Sequence, residues 1–348
     1  MQTKGRAVKL SVVVPVYGGN EILVELVRQV EDVARNILKL QDQFELLFVD
    51  DRGPGGNWEV ISKLAATRPH VKGIRLRKNV GQHNAVLTGL RFAVGEVVVI
   101  MDDDLQHSPY DIPALYKKIA DGYDVCYASF SQRRHALWKI VGSHVNDRVA
   151  TFLLRKPPGL YLSPFKALSS DVSQEIAKFS GPRVYLDGLI LSVTQDICQI
   201  EVEHHARLAG EGAYGLGRSI SLWMTMATSF SIAPLRMASL LGAVFSFGGL
   251  LLAIFLVIQR MGSSAVVSGW TSLMVAFLII SGVQLIALGA IGEYLGRVFL
   301  TVNQRSQAVI GSFVNLGDSH SMEMGRSGAE DAQFRGCKPR EIYETPQA

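Results

Sequence analysis

The sequence predicts a Rossmann-like, doubly wound α/β domain followed by a two-helix transmembrane hairpin. Three observations carry that expectation. Short β-branched runs alternate with helical patterns in the N-terminal part of the chain. Two long stretches without a single charge come later. The composition, finally, lies between two physical regimes: of 348 residues, 48% are apolar and 19% charged, and the mean hydropathy is +0.20. That is too apolar for an ordinary soluble enzyme and too charged for a bundle of membrane helices alone.

The α/β part comes first. Ser11-Val-Val-Val-Pro-Val16, Phe44-Glu-Leu-Leu-Phe-Val49, Glu96-Val-Val-Val-Ile-Met101 and the run Tyr123 to Ala128 are short and apolar. Such runs read as strands buried on both faces. Between them, Glu21 to Leu38, Trp58 to Ala66, Asn84 to Ala93 and Ile112 to Ala120 carry helical periodicity. Strand and helix alternating at this spacing predict a parallel sheet, whose ligands sit at the carboxyl ends of the strands.

Met237 to Ile258 and Trp270 to Gly292 contain no charged residue, and each meets the roughly 20 residues a helix needs to span a bilayer. The loop between them holds one charge, Arg260, whereas Arg218, Arg236, Arg297 and Arg305 flank the pair on the other side. By the positive-inside rule the globular domain is cytoplasmic. The expected organisation is a catalytic α/β domain over 8–218, an interfacial helix over 219–233 and two transmembrane helices within 234–296, at 237–258 and 270–292. A cytoplasmic juxtamembrane segment over 297–314 and a disordered tail over 315–348 complete it. His135 to Arg155 is a second amphipathic segment, read as a helix on the domain core or on the membrane. The location implied is the inner cell membrane, multi-pass, with the bilayer as a partner.

The net charge of +4 suits a membrane surface. The lack of dense Lys/Arg runs interleaved with aromatics argues against nucleic acid. Cys126, Cys198 and Cys337 form neither a disulfide framework nor a Cys-x-x-Cys knuckle, which fits a reducing compartment. Met1 to Leu10 holds Lys4, Arg6 and Lys9 without an apolar run, so no signal peptide is expected.

Chemistry is expected at two acidic strand ends. Asp102-Asp103-Asp104-Leu105-Gln106 follows the strand ending at Met101, and carboxylates at i and i+2 suit a hard divalent cation shared with substrate phosphates. Asp50-Asp51 closes the strand 44–49 ahead of Gly53-Pro-Gly-Gly56. Each alone also reads as an acidic turn or loop capping a helix. Together on one sheet edge they suggest a nucleotide site.

These residues carry a family resemblance. Val14-Pro-Val-Tyr17 with Glu21, Val49-Asp-Asp51, Asn79-Val-Gly81 with Ala85 and Gly89, and Asp102-x-Asp-Leu-Gln106 resemble family 2 glycosyltransferases of the GT-A fold. Gly289-x-x-Gly-Glu-Tyr-Leu-Gly-Arg297, after two spans, is similar to the polyprenyl-phosphate glycosyltransferases, the group of dolichol-phosphate mannose synthase and the undecaprenyl-phosphate glucosyl- and aminoarabinosyltransferases. The resemblance implies transfer of a sugar, UDP-linked, from a nucleotide-sugar donor to polyprenyl phosphate, with Mg²⁺ or Mn²⁺. It implies that Pro15, Tyr17, Glu21, Asp50 or Asp51, Asp103 and Arg133 bind the nucleotide-sugar. Asp102, Asp104 and Gln106 would hold the metal, and Asp104 with Arg207 would be catalytic. A homo-oligomer is expected.

Departures from the family pattern are Gly18-Gly19 after the first tyrosine, Gly212-Ala213-Tyr214 after Glu211, and Gly159-Leu-Tyr-Leu-Ser-Pro-Phe-Lys166, where relatives supply an aspartate. A lipid phosphate, largely dianionic at pH 7, needs orientation rather than a base. Arg207 is the candidate for that task, with Lys166 second because a lysine beside Pro164-Phe165 also reads as a solvated strand-end charge. His83, His204 and His205 have no metal-ligand spacing. Glu293 and Arg297 read as an ion pair on one helical face. The other readings are a processive synthase of the same fold, for which a Gln-x-x-Arg-Trp motif is lacking, and a catalytically inactive membrane assembly partner.

Overall fold

The computed structural model describes residues 8–18, 20–130, 156–181, 184–202, 269–302 and 308–316, with 151, 235 and scattered positions from 240 to 258. Its centre is one eight-stranded sheet: β1 (Leu10–Val16), β2 (Phe44–Asp50), β3 (Val71–Leu76), β4 (Val97–Ile100), β5 (Val125–Phe130), β6 (Lys166–Ser169), β7 (Ile197–Val202) and β8 (Ile310–Val314). The order is β7-β5-β6-β4-β1-β2-β3-β8. The helices are α1 (Asn20–Asp32), prolonged as a π-helix over Val33–Ile37, α2 (Asn57–Thr67), α3 (Gln82–Leu90), α4 (Ile112–Ala120), α5 (Ser170–Ala177), α6 (Leu186–Val193) and α7 (Trp270–Val302).

The two core layers follow from strand alternation. Val12, Val14 and Val16 of β1 join α1's Leu23, Leu26, Val27 and Val30 on one face. Val13 meets Ala85, Val86 and Leu90 of α3 on the other. Gly89 permits the close approach of α3, since a Cβ there would lie 2.4 Å from Val13 Cγ1. Near the start of β2, Glu45 is buried but satisfied. It accepts from the Ser11 hydroxyl, from Lys72 at 2.5 Å and from the Val94 N–H at 2.9 Å.

The sheet is mixed rather than wholly parallel. β6 is antiparallel to β4 and β5, and β8 is antiparallel to β3. β3, with Lys72 and Arg75 interrupting its apolar residues, and the short β6 lack apolar stretches like Val12–Val16 of β1 and Leu46–Val49 of β2. Cys126 and Cys198, distant in sequence, are register partners on β5 and β7, and both are free thiols.

The largest difference from expectation lies C-terminal to the apolar stretches. The expected juxtamembrane segment 297–314 is divided: α7 runs on to Val302, and Ile310–Val314 returns to the sheet as β8. Asn315, with φ of 58°, secures that return by donating to the carbonyls of Ala65 at 2.7 Å and Val71 at 2.9 Å. Among the described residues one helix is long and apolar enough to cross a membrane, through Ile279–Gly296, and a shorter apolar helix covers Leu240–Gly249. The predicted segments 135–155 and 219–233 and the tail beyond 316 lie outside the described residues, apart from Thr151.

Candidate active site

β1, β2 and β4 are parallel neighbours, so the residues that follow them share one edge of the sheet. Pro15 sits inside β1, a central strand, where a missing N–H normally breaks a ladder. Here it does no harm. Val13 accepts from Met101 N at 3.2 Å, which fixes the side of β1 that faces β4. Pro15 presents its nitrogen on that same side, two residues further on, where β4 has already ended.

Past Val16 the chain turns outward, and Tyr17 leaves its side chain 54% exposed. Its backbone N–H donates to Asp103 Oδ2 at 3.3 Å, tying the first loop to the Asp102–Gln106 loop. Burial pushes the Asp103 carboxyl up to about 6; the nearby Asp104 charge adds to this and the Tyr17 N–H opposes it. The turn is tight: Leu105 adopts φ of 53°, and the Gln106 N–H donates to Asp104 Oδ1 at 3.1 Å. Gln82, at the start of α3, donates through Nε2 to Asp102 Oδ1 at 2.5 Å.

The two acids that end β2 have different surroundings. Asp51 accepts from the N–H groups of Val80 at 2.7 Å and Gly81 at 2.9 Å, and so pins the loop into α3. Asp50 pairs with Arg75 at 3.3 Å, whose guanidinium lies 5.9 Å from the Trp58 ring centre. Both carboxyls are raised above the usual range, chiefly by burial.

Residues 11–175 match the family Glycosyl transferase family 2. This segment is a glycosyltransferase domain. Similar solved structures include glucosyl-3-phosphoglycerate synthase from Mycobacterium tuberculosis, 15% identical with a TM-score of 0.45 over 64% of this chain and 78% of that one. Mannosyltransferase PcManGT from Pyrobaculum calidifontis, in complex with GDP-Man and Mn²⁺, is 14% identical with a TM-score of 0.43 over 95% and 82%. S. aureus TarS is 19% identical with a TM-score of 0.38 over 55% and 58%.

Within the glycosyltransferase domain the fold brings Pro15, Tyr17, Asp50, Asp51, Asp102, Asp103, Asp104 and Gln106 to one edge. Arg133 and Arg207 lie outside the described residues, as does the side chain of Glu21. The donor set suits a hard divalent ion. Among the described residues no three His, Cys, Asp or Glu side chains form a metal cluster, but Asp102 and Asp104 supply carboxylate oxygens at the strand end. Mg²⁺ and Mn²⁺ take one or two carboxylates and complete their shell with phosphate and water.

Lys166 is corrected. It is not a solvated strand-end charge: its side chain is 2% exposed and pairs with Asp187 of α6, which also accepts from the Tyr127 hydroxyl at 2.9 Å. The segment 159–166 lacks an acid, yet a carboxylate stands beside it, contributed by a distant helix. His83 packs edge-to-face on Tyr185, with centroids 5.4 Å apart. Gln82 and Asp187 were both missed in the sequence. Gln82 directly follows the Asn79-Val-Gly81 motif, and a lysine in an apolar strand demands a buried counter-charge.

Proposed function

We propose that this glycosyltransferase moves a sugar from a nucleotide-sugar donor, UDP-linked, to polyprenyl phosphate at the cytoplasmic face of the membrane. The observation that carries the reading is where the sheet connects to the apolar part of the chain. β7 runs parallel to β5, so it ends, at Val202, on the edge that bears Asp102 and Asp104. β8 runs antiparallel to β3, so it begins, at Ile310, on that same edge. Both connections to residues 203–309 therefore leave the active-site edge, from its two opposite corners. With seven inter-strand spacings of about 4.8 Å, those corners stand about 34 Å apart. A membrane anchor attached at both corners favours an active-site edge turned toward the bilayer, as a lipid-borne acceptor requires.

The topology also supports an even number of membrane crossings. α7 exposes Leu273, Phe277, Leu285, Ile286 and Leu288, each by more than 60%, and its stretch Trp270 to Gly292 carries no charge, which suits it to lipid. If α7 crosses the membrane, a single crossing would leave β8 on the side opposite the sheet it belongs to. The apolar stretch 237–258 is the natural second span, which gives the two-helix hairpin. At about 1.5 Å per residue α7 would be about 50 Å long, beyond the roughly 30 Å hydrocarbon core, so its C-terminal part extends toward β8.

In the proposed mechanism Tyr17, Pro15, Glu21 and Asp50 line the nucleotide end, while Asp51 holds the loop that delivers α3. Asp102 and Asp104, steadied by Gln82 and by the Gln106 N–H, would hold a divalent ion, which when bound would supply the positive charge that stabilises the leaving diphosphate. Asp103 fastens this loop to Tyr17. The acceptor phosphate is dianionic above about pH 6 and attacks the anomeric carbon without a base. Its charge needs screening, the role proposed for Arg207, with Arg133 on the donor side. Lys166 takes no part, because its ammonium is committed to Asp187.

The test is direct. Full-length protein in detergent is incubated with radiolabelled UDP-sugars, Mn²⁺ and undecaprenyl phosphate. Label extracted with the lipid supports the reading. Label delivered only to a soluble acceptor, with none on the lipid, overturns it.

A further inference from the structure

We propose that Gln82 is a positioning residue for the metal site, and that its electrical neutrality is the property that matters. The side-chain amide donates to Asp102 Oδ1 at 2.5 Å and thereby orients a carboxylate that Asp102 must present to the cation. The inference rests on the proposed metal-assisted transfer.

Gln82 is held rigidly from behind. Asp51 takes the N–H groups of the two residues before it. Asn84 donates to the carbonyl of Val80 at 2.8 Å, and Gly81 enters the helix with φ of 87°, a region that costs glycine little. The first residue of α3 is therefore fixed to the end of β2, while its side chain reaches across to the end of β4. One chain of contacts, Asp51 to Val80–Gly81 to Gln82 to Asp102, links the nucleotide end of the edge to the metal end.

The type of donor decides how Asp102 can be used. Partners outside a metal's ligand shell orient the ligands, and removing one costs roughly 10- to 100-fold in metal affinity. A cationic donor would orient Asp102 equally well but would compete with the metal for its charge. An amide orients without neutralising. Gln82 is exposed, so its replacement disturbs no core packing.

The experiment measures Mn²⁺ binding to the full-length protein in detergent, in the presence of uridine diphosphate and without any acceptor, by the EPR signal of the free ion. Gln82→Ala is expected to weaken Mn²⁺ about 10-fold. Gln82→Lys should weaken it further, up to about 100-fold, and both should keep the wild-type melting temperature. A merely structural role would lower the melting temperature and leave no order between the two variants. Mn²⁺ affinity within twofold of wild type in both variants, or Gln82→Lys binding more tightly than Gln82→Ala, overturns the proposal. Wild-type protein that binds no Mn²⁺ with uridine diphosphate overturns the metal-assisted reading itself and this inference with it. Failure of the lipid acceptor alone leaves these measurements unaffected.

Discussion

Replacing Lys166 with methionine keeps most of the side chain's length, one atom short, and removes its charge. The ammonium is almost fully enclosed and its partner nearly so, at 2% and 10% side-chain exposure. Removing one member of a buried pair leaves the other charge uncompensated, which costs about 3–5 kcal/mol. Asp187 would retain the Tyr127 hydroxyl, which places the expected loss toward the lower end. For a domain of this size each kcal/mol lowers the melting temperature by about 2–4 °C, so Lys166→Met, at about 3 kcal/mol, should melt roughly 6–12 °C below wild type. Asp187→Leu strands the lysine and should cost as much. The double variant Lys166→Met/Asp187→Leu removes both charges and deprives only the Tyr127 hydroxyl of a partner, a loss of about 1–3 kcal/mol. It should therefore be more stable than either single variant. Thermal and urea unfolding of the full-length protein in detergent, followed by tryptophan fluorescence, gives all three values. A single variant that loses less than about 1 kcal/mol, or a double variant whose loss equals the sum of the singles, would refute the buried-pair argument.

Four further outcomes are expected. Gly89→Ala should destabilise by about 1–3 kcal/mol despite alanine's better helix propensity, because its Cβ meets Val13 Cγ1 at 2.4 Å and Val49 Cγ2 at 3.1 Å; a rise in melting temperature would contradict the close packing of α3. His83 is held below the ordinary histidine pKa of 6.5, chiefly by burial, with Lys166 lowering it and Asp187 raising it. The unfolded chain then takes up the proton first, so stability should be full above pH 6.5 and fall as pH drops below it, by at most about 1.4 kcal/mol per unit. His83→Gln should remove that slope from melting curves recorded between pH 7.5 and 5.5. Asp104→Asn should abolish most transfer while the protein stays folded, and excess EDTA should do the same to wild type; transfer undiminished by EDTA would exclude a required metal. A cysteine introduced as Ser264→Cys should react with an impermeant maleimide from outside intact cells, and labelling only after lysis, with an access control, would reverse the orientation.

The legible part of the fold was the part whose residues are alike on both faces. β1 and β2 are buried at every position and so appear in the sequence as largely apolar runs, interrupted only by Ser11, Glu45 and Asp50. β7 and β8 are edge strands with partly exposed, mixed residues. β6 carries Lys166, whose burial makes sense only once Asp187, twenty-one residues away, is beside it. The acidic loops were legible for a similar reason, since a charge cluster directly after a buried strand can only sit at a strand end. Gln82 was not legible, because nothing local distinguishes a glutamine that reaches another strand's carboxylate from one that reaches water.

The position of β8 links the fold to the proposed acceptor more closely than any site residue does. An anchor attached through one linker would let the domain swivel, and the active-site edge would spend most orientations away from the bilayer. On the proposed topology, attachment at both β7 and β8, about 34 Å apart on the same edge, would remove most of that freedom before any substrate binds. The orientational entropy is then lost on folding rather than in the encounter with a lipid phosphate. On this view Asn315, which fastens the end of β8 to the carbonyls of Ala65 and Val71, serves the reaction from the far edge of the sheet. It would keep the second attachment closed, and with it the proposed approach of Asp102 and Asp104 to the membrane.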